Sequence, residues 1–406
     1  MQDRGLTLPV FFQLLSEKSK KIFKFAIVKK YVVILTVLSL ALSYACTARS
    51  AGNNGGDAVS SAVKEAAEQN QVPDFNADSA YLFLKSQLDF GPRNPGSKGN
   101  RECAEYLVNT LRRLGADTVI THTPEINIPY AGKTRICNIL GRFSPNNPNR
   151  ILLIAHWDTR PVADEDPNVN RQDKPIPGAN DGASGVAVLL ETARILAGNP
   201  GNKVGVDILL VDAEDSGTHT DDSSWCLGTQ AWIEKYPNGV PGTFAPRFGI
   251  LLDMVGGKGA KFHREMFSDS FAPQVVNAVW ANAAQAGYAS VFVNERGNAI
   301  NDDHIPLNKA GIPTIDIIEN KSDANGSFSP TWHTHEDNLS NISRQTLKAA
   351  GQTVLQTIYT LKYKNIFNLY DYFRSTAKHN RGIFRCRGLD GPLRDDHRPW
   401  QRTPSD

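Results

Sequence analysis

The chain has 406 residues, and its 44 Lys and Arg side chains nearly balance 42 Asp and Glu, for a formal net charge of +2. This length allows one large domain or two, and the balanced charge argues against nucleic acid or another polyanion as a partner. The five cysteines include no Cys-x-x-Cys pair, so the sequence does not support a zinc ribbon. Cys103 and Cys137 are candidates for a disulfide only if the protein is exported.

The N-terminal 46 residues have the pattern of an export signal. Six lysines precede the apolar run Tyr31–Ala45, which is too short to span a bilayer but fits the apolar core of a signal peptide. Ala45 before Cys46 resembles the cleavage site of a bacterial lipoprotein, in which the lipidated Cys46 would anchor the chain to the membrane. A signal without lipidation and an uncleaved anchor are the alternatives. We therefore expect an exported lipoprotein of the bacterial cell envelope, facing the periplasm.

Three further segments come after this signal. Residues 47–72 are small and polar, as in a tether, with a short helix near Val59–Gln69. Residues 73–362 have the hydrophobic periodicity of one folded domain. Residues 363–406 become rich in Arg, Gly and Pro toward their end, so we expect a disordered tail.

Hydrophobic periodicity predicts an alternation of helices and strands in residues 73–362. The predicted helices are Asp78–Phe90, Asn100–Leu114, Ala183–Leu196, Thr229–Tyr236, Ala272–Gly287, Asp303–Ala310 and Arg344–Leu361. The predicted strands are Thr118–Ile128, Thr134–Phe143, Arg150–His156, Val206–Val211, Phe248–Met254, Ser290–Val293 and Thr314–Ile318. This alternation predicts a single α/β domain with a central, mostly parallel mixed β-sheet flanked by helices. The first two strands, joined by a turn near Tyr130–Lys133, add an antiparallel edge.

The predicted strand Val206–Val211 leads directly into Asp212, Glu214 and Asp215. A continuous apolar strand of this kind is buried on both faces, and it delivers the next residues of the chain to the carboxyl edge of the sheet, where α/β folds bind ligands. Carboxylates this close repel one another, so we expect a cation or a shared proton beside them.

Other strand ends and loops carry polar side chains that can meet at the same edge. Each has an ordinary alternative, such as a helix cap for Asp181 or a turn for Asp253. As a set, however, they offer the nitrogen and carboxylate oxygen ligands that zinc prefers. The set is His156, Asp181, Glu214, Asp215, Asp253 and His333.

Several motifs together resemble the zinc aminopeptidase family M28. They are HWD at His156–Asp158, NDGASG at Asn180–Gly185, DAED at Asp212–Asp215, LLDMVG at Leu251–Gly256 and WHTHEDN at Trp332–Asn338. Within this family, NDDHIPL at Asn301–Leu307 and the loop Trp225–Gly228 are more similar to the glutaminyl cyclases. The resemblance covers about residues 73–361. It implies the zinc aminopeptidase-like, phosphorylase/hydrolase-like fold.

The resemblance implies an enzyme that converts the N-terminal glutamine of a peptide or protein into pyroglutamate and releases ammonia. Asp181, Asp215 and His333 would bind one Zn²⁺ ion per chain and leave a position for substrate. Many relatives have Glu where this sequence has Asp215, so a shorter side chain must reach the metal.

The same resemblance implies a role for the remaining polar residues. Glu214 would carry the proton from the substrate amine to the leaving nitrogen, with Asp253 and Asp302 sharing its hydrogen bonds. Trp332 and Trp225 would form the walls of the pocket, unless they are ordinary buried aromatics.

Two alternatives remain open from the sequence. In a two-zinc aminopeptidase, His156 and Asp253 would hold a second zinc, Asp181 would bridge the two ions, and Glu214 would activate a metal-bound water. A non-catalytic binding lipoprotein is the other alternative, and the retained Glu214 argues against it.

Overall fold

The computed structural model describes residues 72–237, 239–241, 243–320 and 328–361. The predicted signal segment with Cys46, the helix Val59–Gln69 and the tail from residue 363 onward lie outside these residues. Along the described segments, no helix has the length and apolar character needed to cross a membrane.

The helices and strands alternate through most of the chain. The helices are α1 Ala77–Leu88, α2 Lys98–Arg113, α3 Ala183–Gly198, α4 Leu227–Lys235, α5 Met266–Phe271, α6 Pro273–Gln285, α7 His304–Lys309 and α8 Arg344–Thr360. The strands are β1 Thr118–His122, β2 Glu125–Ile128, β3 Gly132–Arg135, β4 Asn138–Phe143, β5 Arg150–His156, β6 Gly205–Val211, β7 Gly249–Asp253, β8 Phe262–Arg264, β9 Phe292–Arg296 and β10 Thr314–Ile318.

The central sheet has six strands in the order β1-β4-β6-β5-β7-β10. Strands β6, β5, β7 and β10 run parallel, whereas β4 is antiparallel to β6 and β1 is antiparallel to β4. The predicted α/β class with a mostly parallel sheet and an antiparallel edge is therefore confirmed.

Helices cover both faces of the sheet, and strand β5 shows how the sequence produces this arrangement. Its apolar side chains alternate: Leu153 and Ala155 face the larger core with α3, whereas Leu152 and Ile154 join a smaller cluster with Trp232 of α4. Every residue of β5 and β6 is buried, as expected for strands enclosed by two helical layers.

The predicted N-terminal hairpin is wrong in one respect. Each of its long arms is interrupted, so that β1 and β4 pair in the central sheet while β2 and β3 form a separate hairpin. Pro124 lies at the first interruption, where it has no N–H to offer a strand ladder and its carbonyl accepts from Ile136 at 3.1 Å.

The other differences are smaller. The predicted strand Ser290–Val293 begins later, as β9, and pairs with β8, which the sequence pattern did not reveal, outside the central sheet. In the described part of the chain, Cys103 and Cys137 are both free thiols, so they form no disulfide with one another.

Candidate metal and acid–base site

The carboxyl ends of three parallel strands bring the predicted polar residues together. Strand β5 ends at His156, β7 ends at Asp253, and β6 leads through Asp212 into Glu214 and Asp215. The Nε2 atom of His156 lies 3.1 Å from Oδ1 of Asp253 and so links two of these strand ends.

Left-handed backbone conformations recur around this edge. Ala213, Cys226, Met254 and His333 have φ angles of 56°, 56°, 48° and 54°. Such angles are unusual for residues other than glycine and concentrate where surrounding structure holds the chain for function. Here they lie next to Glu214 and Asp253, and at His333 itself, so they set the directions of the side chains at the site.

A network of buried hydrogen bonds fixes the loop that carries Asp181. The carboxylate of Asp337 accepts from the backbone N–H groups of Asn180 and Asp181, at 2.7 and 3.1 Å. Gly182 comes next, with a φ of 95°, and a Cβ at this position would lie 2.4 Å from the carbonyl oxygen of Asp158. Glycine is therefore needed where the loop turns into α3.

The residues predicted to bind zinc form one buried cluster. Ligand atoms of Asp181, Asp215 and His333 all lie within 4.8 Å of one another. Nε2 of His333 is 3.2 Å from Asp215 Oδ1 and 3.8 Å from Asp181 Oδ2. Burial and the negative charge of Asp181 raise the pKa of Asp215 to about 6.

This cluster suits a divalent cation of intermediate softness, such as Zn²⁺. Among the described residues, Oδ2 of Asp215 has no hydrogen-bond partner although it is buried. A buried carboxylate oxygen without a partner is costly, and a cation shared by two carboxylates and an imidazole would satisfy it. The donor set of one nitrogen ligand and carboxylate oxygens suits Zn²⁺.

A second cluster shares Asp181 with the first. His156 Nε2 lies 3.1 Å from Oδ1 of Asp181 and 3.1 Å from Oδ1 of Asp253. Although burial acts to lower the pKa of His156, contacts with Asp158, Asp181 and Asp253 raise it well above its usual value. Burial also raises the pKa of Asp253 to about 7.

The proposed proton carrier Glu214 faces other carboxyls. Ligand atoms of Glu214, Asp302 and Cys226 lie within 4.8 Å of one another, and the Cys226 thiol donates to Glu214 Oε1 at 3.4 Å. Burial, and after it the charge of Asp302, raises the pKa of Glu214 well above the usual range of a carboxyl. A carboxyl of this kind can hold a proton near neutral pH, as acid–base chemistry requires.

Both predicted tryptophans contact the candidate ligand His333. The ring of Trp332 stacks on His333 with a centroid distance of 3.7 Å, and the ring of Trp225 is nearly parallel to it at 6.3 Å. Trp225 also packs over Gly217, where a Cβ would lie 2.2 Å from the indole. Neither ring is fully buried, which leaves apolar surface beside the cluster.

Asp212, the first carboxylate after β6, belongs to neither of the two candidate metal clusters. Its side chain accepts from Asn100 Nδ2 at 3.1 Å and from the backbone N–H groups of Cys137 and Ala213 at 2.8 and 2.9 Å. These contacts indicate a structural role for Asp212.

The sequence prediction did not include several charged groups that the structure brings to this region. The carboxyls of Asp303 and Asp316 are completely buried, and burial together with Asp302 raises both pKa values well above the usual range. Arg160 and Asp164 contact Asp215 and His333. Asp303 is visible in the sequence as the neighbour of Asp302, but the other three have no motif or periodic pattern that marks them.

Comparison with known proteins agrees with this architecture. Residues 138–358 match the model of Peptidase family M28. The chain belongs to this family. Its M28 domain is similar to the Bacteroides thetaiotaomicron glutaminyl cyclase bound to N-acetylhistamine, with 47% identity, a TM-score of 0.68, and coverage of 72% of this chain and 100% of that one.

Two other similar proteins are named aminopeptidases. A leucine aminopeptidase precursor from Bacteroides thetaiotaomicron is 46% identical, with a TM-score of 0.67 and coverage of 72% of this chain and 99% of that one. Aminopeptidase YwaD of Bacillus subtilis is 28% identical over 229 residues, which are 55% of this chain. The chain spans only 44% of the length of that relative.

Proposed function

We propose that this M28 protein is a glutaminyl cyclase that converts N-terminal glutamine into pyroglutamate with release of ammonia. The observation that carries the proposal is the proximity of Glu214 to Asp302 beside the Asp181–Asp215–His333 cluster. The pair forms a buried acid–base group next to a Lewis-acid site, and the 47% identity to a glutaminyl cyclase supports the same reaction.

The proposed metal site comprises Asp181, Asp215 and His333, which would hold one Zn²⁺ ion. When bound, zinc supplies a Lewis acid that polarises the γ-carbonyl of the glutamine side chain. The two carboxylates and the imidazole come from three separate loops, so the substrate carbonyl would meet a preassembled site.

Side chains of the protein then transfer the proton. The α-amine of the substrate attacks the γ-carbonyl carbon, and the C–N bond to the side-chain nitrogen breaks, so no water is consumed. Glu214 accepts a proton from the attacking amine and returns it to the leaving nitrogen, which departs as ammonia. Asp302 lies beside Glu214. With substrate bound, Asp302 and Asp253 would share hydrogen bonds with Glu214 and the leaving amide.

The raised pKa of Glu214 suits this double role. A carboxyl with an ordinary pKa would release its proton too readily to protonate the leaving nitrogen near neutral pH. Burial and Asp302 bring the proton affinity of Glu214 closer to the working pH, and Cys226 donates to the same carboxyl. Trp332 and Trp225 offer the aromatic surface for the short glutamine side chain.

The proposal is tested with two peptides that differ only at the first residue. The purified protein should convert the peptide with N-terminal Gln into a product that has lost ammonia but no residue, as measured by mass spectrometry. The matched peptide with N-terminal Asn should not react, because its side chain is one methylene too short for the five-membered ring. Release of a free amino acid from the Gln peptide would contradict the cyclase.

A two-zinc aminopeptidase is the second candidate, favoured by the His156–Asp181–Asp253 cluster. The contacts of His156 with the two carboxylates, 3.1 Å each, bring together a further set of metal ligands. In this case Glu214 would act on a water molecule rather than on the substrate amine. Zinc content per chain separates the candidates, because the cyclase requires one equivalent and this aminopeptidase requires two.

The cellular setting is part of the proposal. We propose that residues 1–46 are an export signal, that Cys46 is lipidated, and that residues 47–72 tether the domain of residues 73–362 to the bacterial envelope. The substrates would be exported peptides or proteins with N-terminal Gln. When the protein is expressed in a bacterial host supplied with a labelled fatty acid, the wild type should become labelled and Cys46→Ala should not, whereas an unlabelled wild type would contradict the lipid anchor.

A further inference from the structure

Arg160 is a completely buried cation whose donors are directed to two separate loops. Its Nε donates to Asp164 Oδ1 at 3.0 Å and its Nη2 to Asp164 Oδ2 at 2.5 Å. These two parallel bonds form a bidentate ion pair, the geometry that gives an Arg–carboxylate contact both strength and direction. Arg160 is fully buried and the Asp164 side chain is only 24% exposed, so this pair fixes the positions of both side chains.

The remaining amino group of Arg160 forms hydrogen bonds with the segment that follows β6. Nη1 donates to the backbone carbonyls of Asp215 and Gly217, at 3.1 and 3.0 Å, and lies 3.7 Å from Asp215 Oδ1. The guanidinium also lies over the ring of Trp225, with Cζ 4.7 Å from the ring centroid. Arg160 therefore contacts both the backbone and the carboxylate of one proposed zinc ligand.

Asp164 contacts a second proposed ligand. Its Oδ1 lies 3.0 Å from Nδ1 of His333, and the backbone N–H of Glu165 donates to the His333 carbonyl at 3.3 Å. Oδ2 of Asp164 is also hydrogen-bonded to Nε2 of His219 at 3.0 Å. The contact between Nδ1 and Oδ1 is short but lies off the axis of the N–H bond, so its attraction is mainly electrostatic.

The position of Asp164 decides which nitrogen of His333 is available to a metal. A carboxylate beside Nδ1 favours the tautomer with its proton on Nδ1, which leaves the lone pair on Nε2. Nε2 is the atom that faces Asp215 and Asp181. The carboxylate thereby orients the ring and increases the basicity of the nitrogen that would bind zinc.

We propose that Arg160 and Asp164 are positioning residues of the zinc site, because one ion pair fixes Asp215 on one loop and His333 on another. This inference rests on the zinc site proposed above, but not on which reaction the site catalyses. It assigns a function to a buried Arg and a partly buried Asp that lie outside the proposed acid–base residues.

The test measures zinc affinity and stability separately. Asp164→Asn should raise the zinc dissociation constant about 10- to 100-fold, as expected for loss of a carboxylate behind a ligand histidine. Affinity is measured by competition with a chromogenic chelator, and the unfolding midpoint of the metal-free protein is measured in urea. Asp166→Asn is the matched control, because Asp166 contacts His335 Nδ1 at 2.7 Å from the same loop. This control should keep the wild-type zinc affinity.

The outcomes separate this inference from the proposed function. Wild-type protein that binds no zinc would overturn the proposed site itself. Wild-type affinity in Asp164→Asn, or an equal loss in Asp166→Asn, would overturn only the positioning role. If Asp164→Asn does not fold, Arg160→Lys is measured in the same way. It keeps the charge but not the bidentate geometry, so about tenfold weaker zinc binding is expected, and unchanged affinity would overturn the inference.

Discussion

Asp158 accepts the backbone N–H of Glu214 at its Oδ1 atom, with a distance of 3.1 Å. The second carboxylate oxygen of Asp158 accepts the N–H of Asp215 at 3.3 Å. A single buried carboxylate thus orients the two neighbouring residues to which we assign different functions. It explains how one sequence segment can direct Glu214 toward Asp302 and Asp215 toward His333.

Asp158→Asn should destabilise the protein and weaken the site at the same time. An Asn side chain has one acceptor oxygen, so one of the two N–H groups would face an amide donor and lose its partner. The expected loss is about 1 to 3 kcal/mol in the free energy of unfolding, measured in urea on the metal-free protein. Wild-type stability together with wild-type turnover would show that these hydrogen bonds do not organise the segment.

Glu214→Gln should strongly reduce turnover while zinc remains bound. Glutamine keeps the size of the side chain but cannot shuttle a proton, so we expect kcat to fall about 100- to 10,000-fold. Turnover is followed by ammonia release and zinc content by metal analysis. Glu234→Gln, an exposed change on α4, is the control and should keep full activity. Loss of zinc from Glu214→Gln would indicate that Glu214 is a ligand rather than the proton carrier.

Asp253→Asn distinguishes the two metal arrangements, because Asp253 belongs to only one of the two clusters. If the protein is a one-zinc cyclase, the variant should keep one zinc per chain and lose turnover. Asp181→Asn should lose zinc in either arrangement, since Asp181 belongs to both clusters. A fall from two zinc ions to one in Asp253→Asn would favour the aminopeptidase.

Part of this site could be predicted from the sequence because several of its residues end a buried strand or closely follow one. The apolar runs of β5, β6 and β7 identify parallel strands, and the carboxyl ends of such strands share one edge. His156 and Asp253 are the last residues of their strands, so their convergence is a consequence of the topology. The distances between these side chains come from the structure, because hydrophobic periodicity in the sequence does not give them.

Other features depend on tertiary contacts and had no comparable signal. Asp164 lies in an irregular loop after β5, and its partners His219 and His333 are 55 and 169 residues away in the chain. Nothing in the local sequence distinguishes it from Asp166, two residues later. Loop carboxylates of this kind acquire a role only when folding brings a buried histidine or arginine beside them.

Glu319→Gln should increase stability at alkaline pH and leave it nearly unchanged at acidic pH. Glu319 lies just after β10 and is buried, and its Oε2 has no hydrogen-bond partner in the segments that the structure describes. Burial raises its pKa from 4.5 to about 7, partly offset by the side chain of Asn180. The folded protein therefore binds an extra proton between these values. The contribution of protonated Glu319 to the free energy of unfolding is fully present below pH 4.5, and it is lost as the pH rises through 7.

Glutamine resembles the protonated carboxyl and removes this titration. At pH 8 the variant should be more stable than the wild type by about 1 to 3 kcal/mol, and at pH 5 the difference should largely disappear. Urea unfolding of the metal-free proteins at both pH values measures the effect. Glu295→Gln, at an exposed position of β9, should show no such pH-dependent gain. An equal change at pH 5 and pH 8 would mean that packing, rather than the buried charge of Glu319, is responsible.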